Sequence, residues 1–340
     1  MGKPDLPSSI SHLPILIAGQ TAVGKSEIAL QLAERLGGEI VAVDSMQVYR
    51  GLDIGTAKPS SADRARVAHH LIDICDLAES FDVAKHIRLA QKAVEQIQSR
   101  GRVPILCGGT GLYFKAFLSG LGEAPSADPE LRARLEAMPF EALLRELHER
   151  DSAAYEKIDK QNPRRVIRAV EVIRLTGKKF SQQRARWGET AGEPKVGSSR
   201  RDDRTSQPVF RSSSAEGGRA VPSISNFFAF TRQPDDLRRR IDVRVDTMFA
   251  SGLVEETREL LKHGLEENKT AMQAIGYRQV VEHLRGERSL AETIELVKIK
   301  TRQFAKRQLT WFRRQLDPEW IELQPDESPE KVGRKICELI

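Results

Sequence analysis

Gly19-Gln20-Thr21-Ala22-Val23-Gly24-Lys25-Ser26 reads G-x-x-x-x-G-K-[ST] in full, and these residue types at this spacing hold phosphate. Consecutive backbone N–H groups in such a loop, with the start of the following helix, form a ready anion site. Lys25 adds a mobile positive charge, and the Ser26 hydroxyl is a hard oxygen of the kind Mg2+ takes. The motif is a signature of nucleotide and ATP binding, yet it does not say which phosphates are held. A kinase, an ATPase and a transferase with diphosphate as leaving group all have use for it.

Asp44 ends the apolar run Ile40–Val43, so a sheet would place its carboxylate near the bound phosphates. There it could bind the water shell of a metal or take a proton from an incoming nucleophile. The competing reading is a strand-end cap within Asp44–Ser45. The polar stretch from Ser45 through Met46, Gln47 and on to Pro59 is too long for a plain turn and suggests a substrate-contacting loop. Gly108–Gly109–Thr110–Gly111 ends another apolar run; it fits either a close backbone approach to a ligand, with Thr110 offering a hydroxyl, or a structural turn. His69–His70 has no third ligand at metal spacing, which favours packing or hydrogen bonding. Trp311, at helical spacing, reads as a core anchor ahead of a stacking platform.

The elements that would position these residues alternate. Apolar runs at Pro14–Ala18, Ile40–Val43, His70–Ile74 and Val103–Cys107 read as buried strands, with helices over Lys25–Leu36 and Val83–Ser99. This alternation predicts an α/β fold, a parallel sheet flanked by helices with its ligand site at the strand C-termini. From Asp128 to Arg186 only helical patterns occur, an all-helical insertion. Asn226–Phe230 resumes a strand, a long helix spans Leu290–Arg314, Trp320–Leu323 could return to the sheet, and Ser328–Pro329 starts a last helix. The expected division is a frayed tail at 1–11, a core in two parts at 12–121 and 222–340, a helical insertion at 122–187 and a flexible loop at 188–221.

The chain has 340 residues, three dispersed cysteines and no apolar run long enough to span a membrane, which points to a cytoplasmic protein. Its net charge of +6 is mild, but the charge is concentrated. Arg164, Arg165, Arg168, Arg174, Lys178, Lys179, Arg184 and Arg186 face one acid, Glu171, while Lys298, Lys300, Arg302, Lys306, Arg307, Arg313 and Arg314 face none. Such stretches suit a polyanion, and each alone is equally a solvated helix face.

Taken together, these stretches resemble the tRNA dimethylallyltransferases, the tRNA prenyltransferase family. The likeness runs in order through Gly19–Ser26, Asp44–Pro59, His69–Asp73, Gly108–Tyr113, Asn162–Arg165, Ala274–Tyr277 and Thr301–Trp311. It implies a P-loop NTPase-like core with a helical insertion domain, and a loop that binds the diphosphate of dimethylallyl diphosphate with Mg2+. It further implies Asp44 as general base, Thr110 beside the target base, and Arg240 and Arg244 toward the donor phosphates. The tRNA-contacting segments fall on Asp44, Ser45, Met46 and Gln47 and on Arg164, Arg165, Val166, Ile167 and Arg168. A monomer acting on the anticodon stem-loop is expected. Gln20 stands where the family usually has Pro, Val23 where it has Ser or Ala, and the polar stretch 188–221 is longer than in bacterial members. The zinc-finger tail of eukaryotic relatives is not seen. Rival readings are an adenylate prenyltransferase, a small-molecule P-loop kinase and a non-catalytic RNA-binding module.

Overall fold

Ile15–Gly19 (β1) is apolar at every position and wholly buried, as expected for a strand covered on both faces. The computed structural model describes residues 13–120, 125, 127–185 and 226–340. The expected tail at 1–11 and the expected loop at 188–221 lie outside the described residues. After β1 come α1 (Lys25–Leu36), β2 (Glu39–Val43), α2 (Ser61–Arg66), β3 (His69–His70), α3 (Val83–Ser99), β4 (Pro104–Gly108) and α4 (Gly111–Ser119). Five helices follow: α5 (Pro129–Glu136), α6 (Phe140–Arg150), α7 (Ser152–Lys157), α8 (Pro163–Thr176) and α9 (Phe180–Ala185). The chain then returns to β5 (Phe227–Arg232), α10 (Pro234–Ala250), α11 (Leu253–Lys262), α12 (Tyr277–Leu284), α13 (Leu290–Gln315), β6 (Glu319–Leu323) and α14 (Pro329–Leu339).

Among the described residues the strands form one sheet in the order β3-β2-β4-β1-β5-β6, with every neighbouring pair parallel. Alternation along β1 sends Leu16 and Ala18 to one face and Ile15 and Ile17 to the other. The first face packs on Ile87, Ala90 and Val94 of α3 and on Phe114 of α4. The second packs on Ile28 and Leu32 of α1, Ile241 of α10 and Ile336 of α14. Helix α13 serves both, with Val297 and Ala305 in the second cluster and Phe312 in the first. The third strand is shorter than the sequence suggests. Leu71 and Asp73 take left-handed backbone angles (φ 62° and 56°), which ends the extended run after His70.

The chain divides into two compact units, Met1–Leu118 with Pro222–Ile340, and Ser119–Val221. In the second, Asp128 caps α5 by accepting the Leu131 amide, and Asn162 caps α8 by accepting that of Arg165. Leu135, Leu143, Leu147, Val166, Ala169, Val170 and Ile173 give this unit its own core.

Candidate active site

The phosphate loop connects the C-terminal end of β1 to α1, and Gly24 enters that helix at φ 107°. Arginine side chains pin the loop's carbonyls: Arg240 Nε donates to Ala22 O at 2.9 Å and Arg232 Nε to Val23 O at 2.8 Å. Arg232 is itself held by Asp236 at 2.9 Å. Lys25 Nζ donates to the Gln20 carbonyl at 3.1 Å. The two departures from the family pattern are accounted for by packing. Gln20 is buried, donating to Ala305 O at 3.1 Å and accepting from the Thr231 hydroxyl at 3.4 Å, while Val23 lies in the core beneath the loop. Neither side chain is therefore available to a ligand.

Thr21 takes a partner from far along the chain, its amide donating to Gln308 Oε1 of α13 at 2.8 Å. Gln308 Nε2 donates in turn to Gly109 O at 2.9 Å. The glycines of Gly108–Gly111 are a packing requirement: a Cβ on Gly109 would lie 2.4 Å from Gln308 Nε2, and one on Gly111 2.1 Å from the Trp311 ring. Trp311 is accordingly half-buried against the core, as the anchor reading had it. Thr110, half-buried, ties this turn to β2 by donating its amide to Val43 O at 3.3 Å.

Asp44 follows Val43 directly. Its Oδ1 accepts the Met46 amide at 2.8 Å and the Gln47 amide at 3.3 Å, so the strand-end cap exists. Oδ2 has no hydrogen-bond partner among the described residues, leaving half of the carboxylate available. Thus Asp44, Thr110 and the phosphate loop stand at the ends of β2, β4 and β1, three strands side by side. Ser45 is half-buried beside Asp44, and Gln47 Nε2 donates to Thr56 O at 3.1 Å and to Ala57 O at 3.4 Å. Glu256 fixes the same loop by accepting the Ile54 amide at 2.9 Å and the Tyr277 hydroxyl at 2.5 Å.

A cavity of about 500 Å³ opens over the loop, lined by Lys25, Ser26, Arg239, Arg240 and Arg244 together with Glu27, Asp236, Ala57 and Val243. Burial pulls the pKa of Lys25 below its usual value, and the neighbouring Arg244 pulls the same way. Burial also disfavours the charged form of Arg244, against the attraction of Asp44 and Glu27. Two half-buried cations held together in this way are stabilised by an arriving polyanion. Cys107, buried beneath Lys25, has its thiol pushed up to about 12 by burial and is inert. Ser26, exposed at the cavity, and the Glu27 carboxylate are hard oxygen donors. Among the described residues no group of three or more His, Cys, Asp or Glu could hold a metal alone. The donor set fits Mg2+, which binds through few protein oxygens and completes its shell with phosphate and water.

In the helical unit the segment Arg164–Arg168 divides by face. Arg164 and Arg165 are exposed, Ile167 is half-buried and Val166 lies wholly in the core, with no side-chain surface to offer RNA. Arg168 turns inward, donating to Glu171 at 2.6 Å and to Pro125 O at 2.5 Å, and Glu171 is fully buried with Arg132 as its second cation. On α13, Lys298 pairs with Asp246 and Arg302 with Asp242, whereas Lys300, Lys306, Arg307, Arg313 and Arg314 are exposed. His69 and His70 make hydrogen bonds, to Val67 O at 2.8 Å and to Glu39 at 2.6 Å. Sequence reasoning missed Gln308, Arg232, Asp236, Glu27 and Arg239. Glu27 was legible as the neighbour of Ser26, and the others only once α10 and α13 were placed over the loop.

A family model described as IPP transferase matches residues 47–315. A tRNA dimethylallyltransferase of Citrifermentans bemidjiense is 42% identical over 91% of this chain and 91% of its own. That of Thermomicrobium roseum is 40% identical over 95% and 92%. Among solved structures, the tRNA isopentenylpyrophosphate transferase of Bacillus halodurans is 35% identical with a TM-score of 0.64, covering 96% of each chain. A eukaryotic dimethylallyltransferase acting on tRNA is 26% identical with a TM-score of 0.69, covering 91% of this chain and 73% of that one. With likeness of this extent, carried over nearly the whole length, the chain belongs to the IPP transferase family, the tRNA dimethylallyltransferases.

Proposed function

We propose that this chain transfers a dimethylallyl group from dimethylallyl diphosphate to the exocyclic N6 amine of the adenosine 3′ of the anticodon in tRNA, releasing diphosphate. The observation that carries the reading is the juxtaposition of a phosphate loop, an available carboxylate and a hydroxyl at the ends of three neighbouring strands. It answers the needs of the reaction. The allylic C–O bond breaks, its electron pair leaves with diphosphate, and the N6 lone pair forms the new C–N bond.

Charge that builds on the leaving oxygens meets Lys25, the amides of the phosphate loop, Arg240 and Arg244, all in place before the reaction. Ser26 would hold Mg2+ with the diphosphate, and the ion when bound supplies further neutralisation of that charge. The amine is a poor nucleophile and a very weak acid, so no carboxylate strips it beforehand. As the C–N bond forms, the nitrogen becomes acidic and Asp44 accepts its proton. Thr110 positions the base. The adenine must leave the anticodon-loop stack to reach this point, which costs a few kcal/mol. We assign 12–121 and 222–340 to donor binding and chemistry, and 122–187 to the RNA, with Arg164 and Arg165 of α8 and the exposed cations of α13 on the phosphate backbone. Asp44, Ser45, Met46 and Gln47 meet the acceptor nucleotide. We take the enzyme to act in the cytoplasm as a monomer.

The test supplies labelled dimethylallyl diphosphate and Mg2+ with tRNA, AMP or no acceptor in parallel. Label on the tRNA adenosine alone is expected. Label on AMP would identify an adenylate prenyltransferase, and ATP consumption in a companion reaction supplied with ATP, without prenyl transfer, a kinase.

A further inference from the structure

The Gln308 side chain sits where two catalytic loops meet and belongs to neither. Its amide is buried, 7% exposed, and both ends are used: Oε1 accepts the Thr21 amide at 2.8 Å and Nε2 donates to Gly109 O at 2.9 Å. Thr21 lies in the phosphate loop after β1, and Gly109 precedes Thr110 in the turn after β4. These strands are direct neighbours in the sheet. Beyond the sheet itself, one planar amide is hydrogen-bonded to both loops at once. Gly109 admits that amide because it has no side chain; a Cβ there would stand 2.4 Å from Nε2.

We propose that Gln308 is a positioning residue for prenyl transfer, fixing the distance between the donor's diphosphate and the acceptor amine. The proposal rests on the prenyl-transfer reading above. Transfer requires the allylic carbon and N6 in near-attack contact, and a displacement of about 1 Å at such a contact costs on the order of 100-fold in rate. Glutamine alone among side chains of this length accepts at one end and donates at the other. Glutamate in the same place keeps the bond from Thr21 but sets a carboxylate oxygen against the Gly109 carbonyl. Methionine keeps the shape and makes neither bond. In both variants the loops remain formed, since β1, β4 and the arginines that hold Ala22 and Val23 are untouched. Each loop can still bind its own ligand, and what changes is their separation.

The experiment measures single-turnover transfer at saturating donor and tRNA, together with Kd for each, in the wild type, Gln308→Met, Gln308→Glu, Gln308→Ala, Gly109→Ala and Gln308→Ala/Gly109→Ala. We expect the bound-complex rate to fall roughly 10- to 100-fold in each single variant while both Kd values stay within about threefold. In the double variant the shortened side chain makes room for the new methyl, so the second substitution adds little to the first. A wild-type rate in Gln308→Met overturns the role, and so does weakened donor binding with an unchanged rate once bound, which would make Gln308 a part of the phosphate site only. Additive losses in the double variant would show two independent structural defects and overturn it also. Should one variant fail to fold, the remaining single variant decides by the same split of rate and Kd. A wild-type enzyme that transfers no label at all overturns the underlying reading, an outcome distinct from normal wild-type transfer with insensitive variants.

Discussion

Asp44→Asn separates the two things Asp44 does. Oδ1 caps the turn by accepting the amides of Met46 and Gln47, and the asparagine carbonyl oxygen accepts both equally well in geometry. What is lost there is charge assistance, about 1 kcal/mol per bond, so the folded state is expected to weaken by roughly 1–2 kcal/mol. The other end changes character altogether, from an oxygen that takes a proton to an NH2 that cannot. General-base loss of this kind lowers turnover on the order of 10²–10⁴-fold, or about 2.7–5.4 kcal/mol of transition-state stabilisation. Donor affinity moves the other way. Asp44 is an attractive partner for Lys25 and Arg244, and removing its charge leaves those cations freer for diphosphate. The assay is single-turnover transfer of labelled dimethylallyl to tRNA, with donor and tRNA binding measured separately. A fall in rate with tRNA affinity intact and donor affinity equal or higher is expected. A rate within about threefold of wild type refutes Asp44 as the proton acceptor. Asp44→Ala, by contrast, frees the amides of Met46 and Gln47 and is expected to damage tRNA binding as well.

Ser26→Ala is expected to raise the Mg2+ concentration for half-maximal transfer at least about tenfold, and chelation by EDTA to abolish transfer in the wild type; a Mg2+ titration of both proteins checks this. Arg165→Ala should weaken tRNA binding and reduce the salt slope of log K by roughly 0.7–0.9, with no change in melting temperature. Arg168→Ala should lower the melting temperature of the helical unit, because buried Glu171 then keeps only Arg132 as a cationic partner among the described residues. At Glu39, burial pushes the carboxyl pKa up, but hydrogen bonds from Arg100 and His70 outweigh it and the net shift is downward. Its stabilisation is thus present above the ordinary glutamate value and is lost as pH falls below it. The melting-temperature gap between wild type and Glu39→Gln should therefore narrow as pH falls through and below about 4.5.

Elements with strong local signals were legible in the sequence. The span of α1 followed from apolar spacing closed by Gly37–Gly38, α3 occupies the Val83–Ser99 span expected of it, and β4 followed from an unbroken apolar run. The third strand was overestimated because Leu71–Ile74 is apolar enough for a strand, while Leu71 and Asp73 take positive φ and Asp73 is held by Lys58 and Arg64, arrangements that no local pattern encodes. At the site, Lys25, Ser26 and Asp44 announced themselves through residue type and position. The glycine run did so for another reason than expected, since its neighbours are Gln308 and Trp311. Arg168 looked like its exposed neighbours because the charge of a side chain is visible in sequence and its direction is not. Gln308, an uncharged residue in a basic helix, gave no sign until its amide was seen to touch both loops.

The bonds that fasten the phosphate loop to α13 join residues 287 and 285 positions apart, Thr21 to Gln308 and Gln20 to Ala305. Synthesis proceeds at about 5–20 residues per second, so the loop waits roughly 15–60 s for those partners to be made. During that interval the nascent chain carries the complete phosphate-binding sequence but lacks the contacts that hold it in register. Closing so long a stretch of chain is entropically costly and comes late in folding. A competent donor site is therefore a report that α13 has docked, and a chain broken off before residue 305 carries the motif without the helix residues that fasten it.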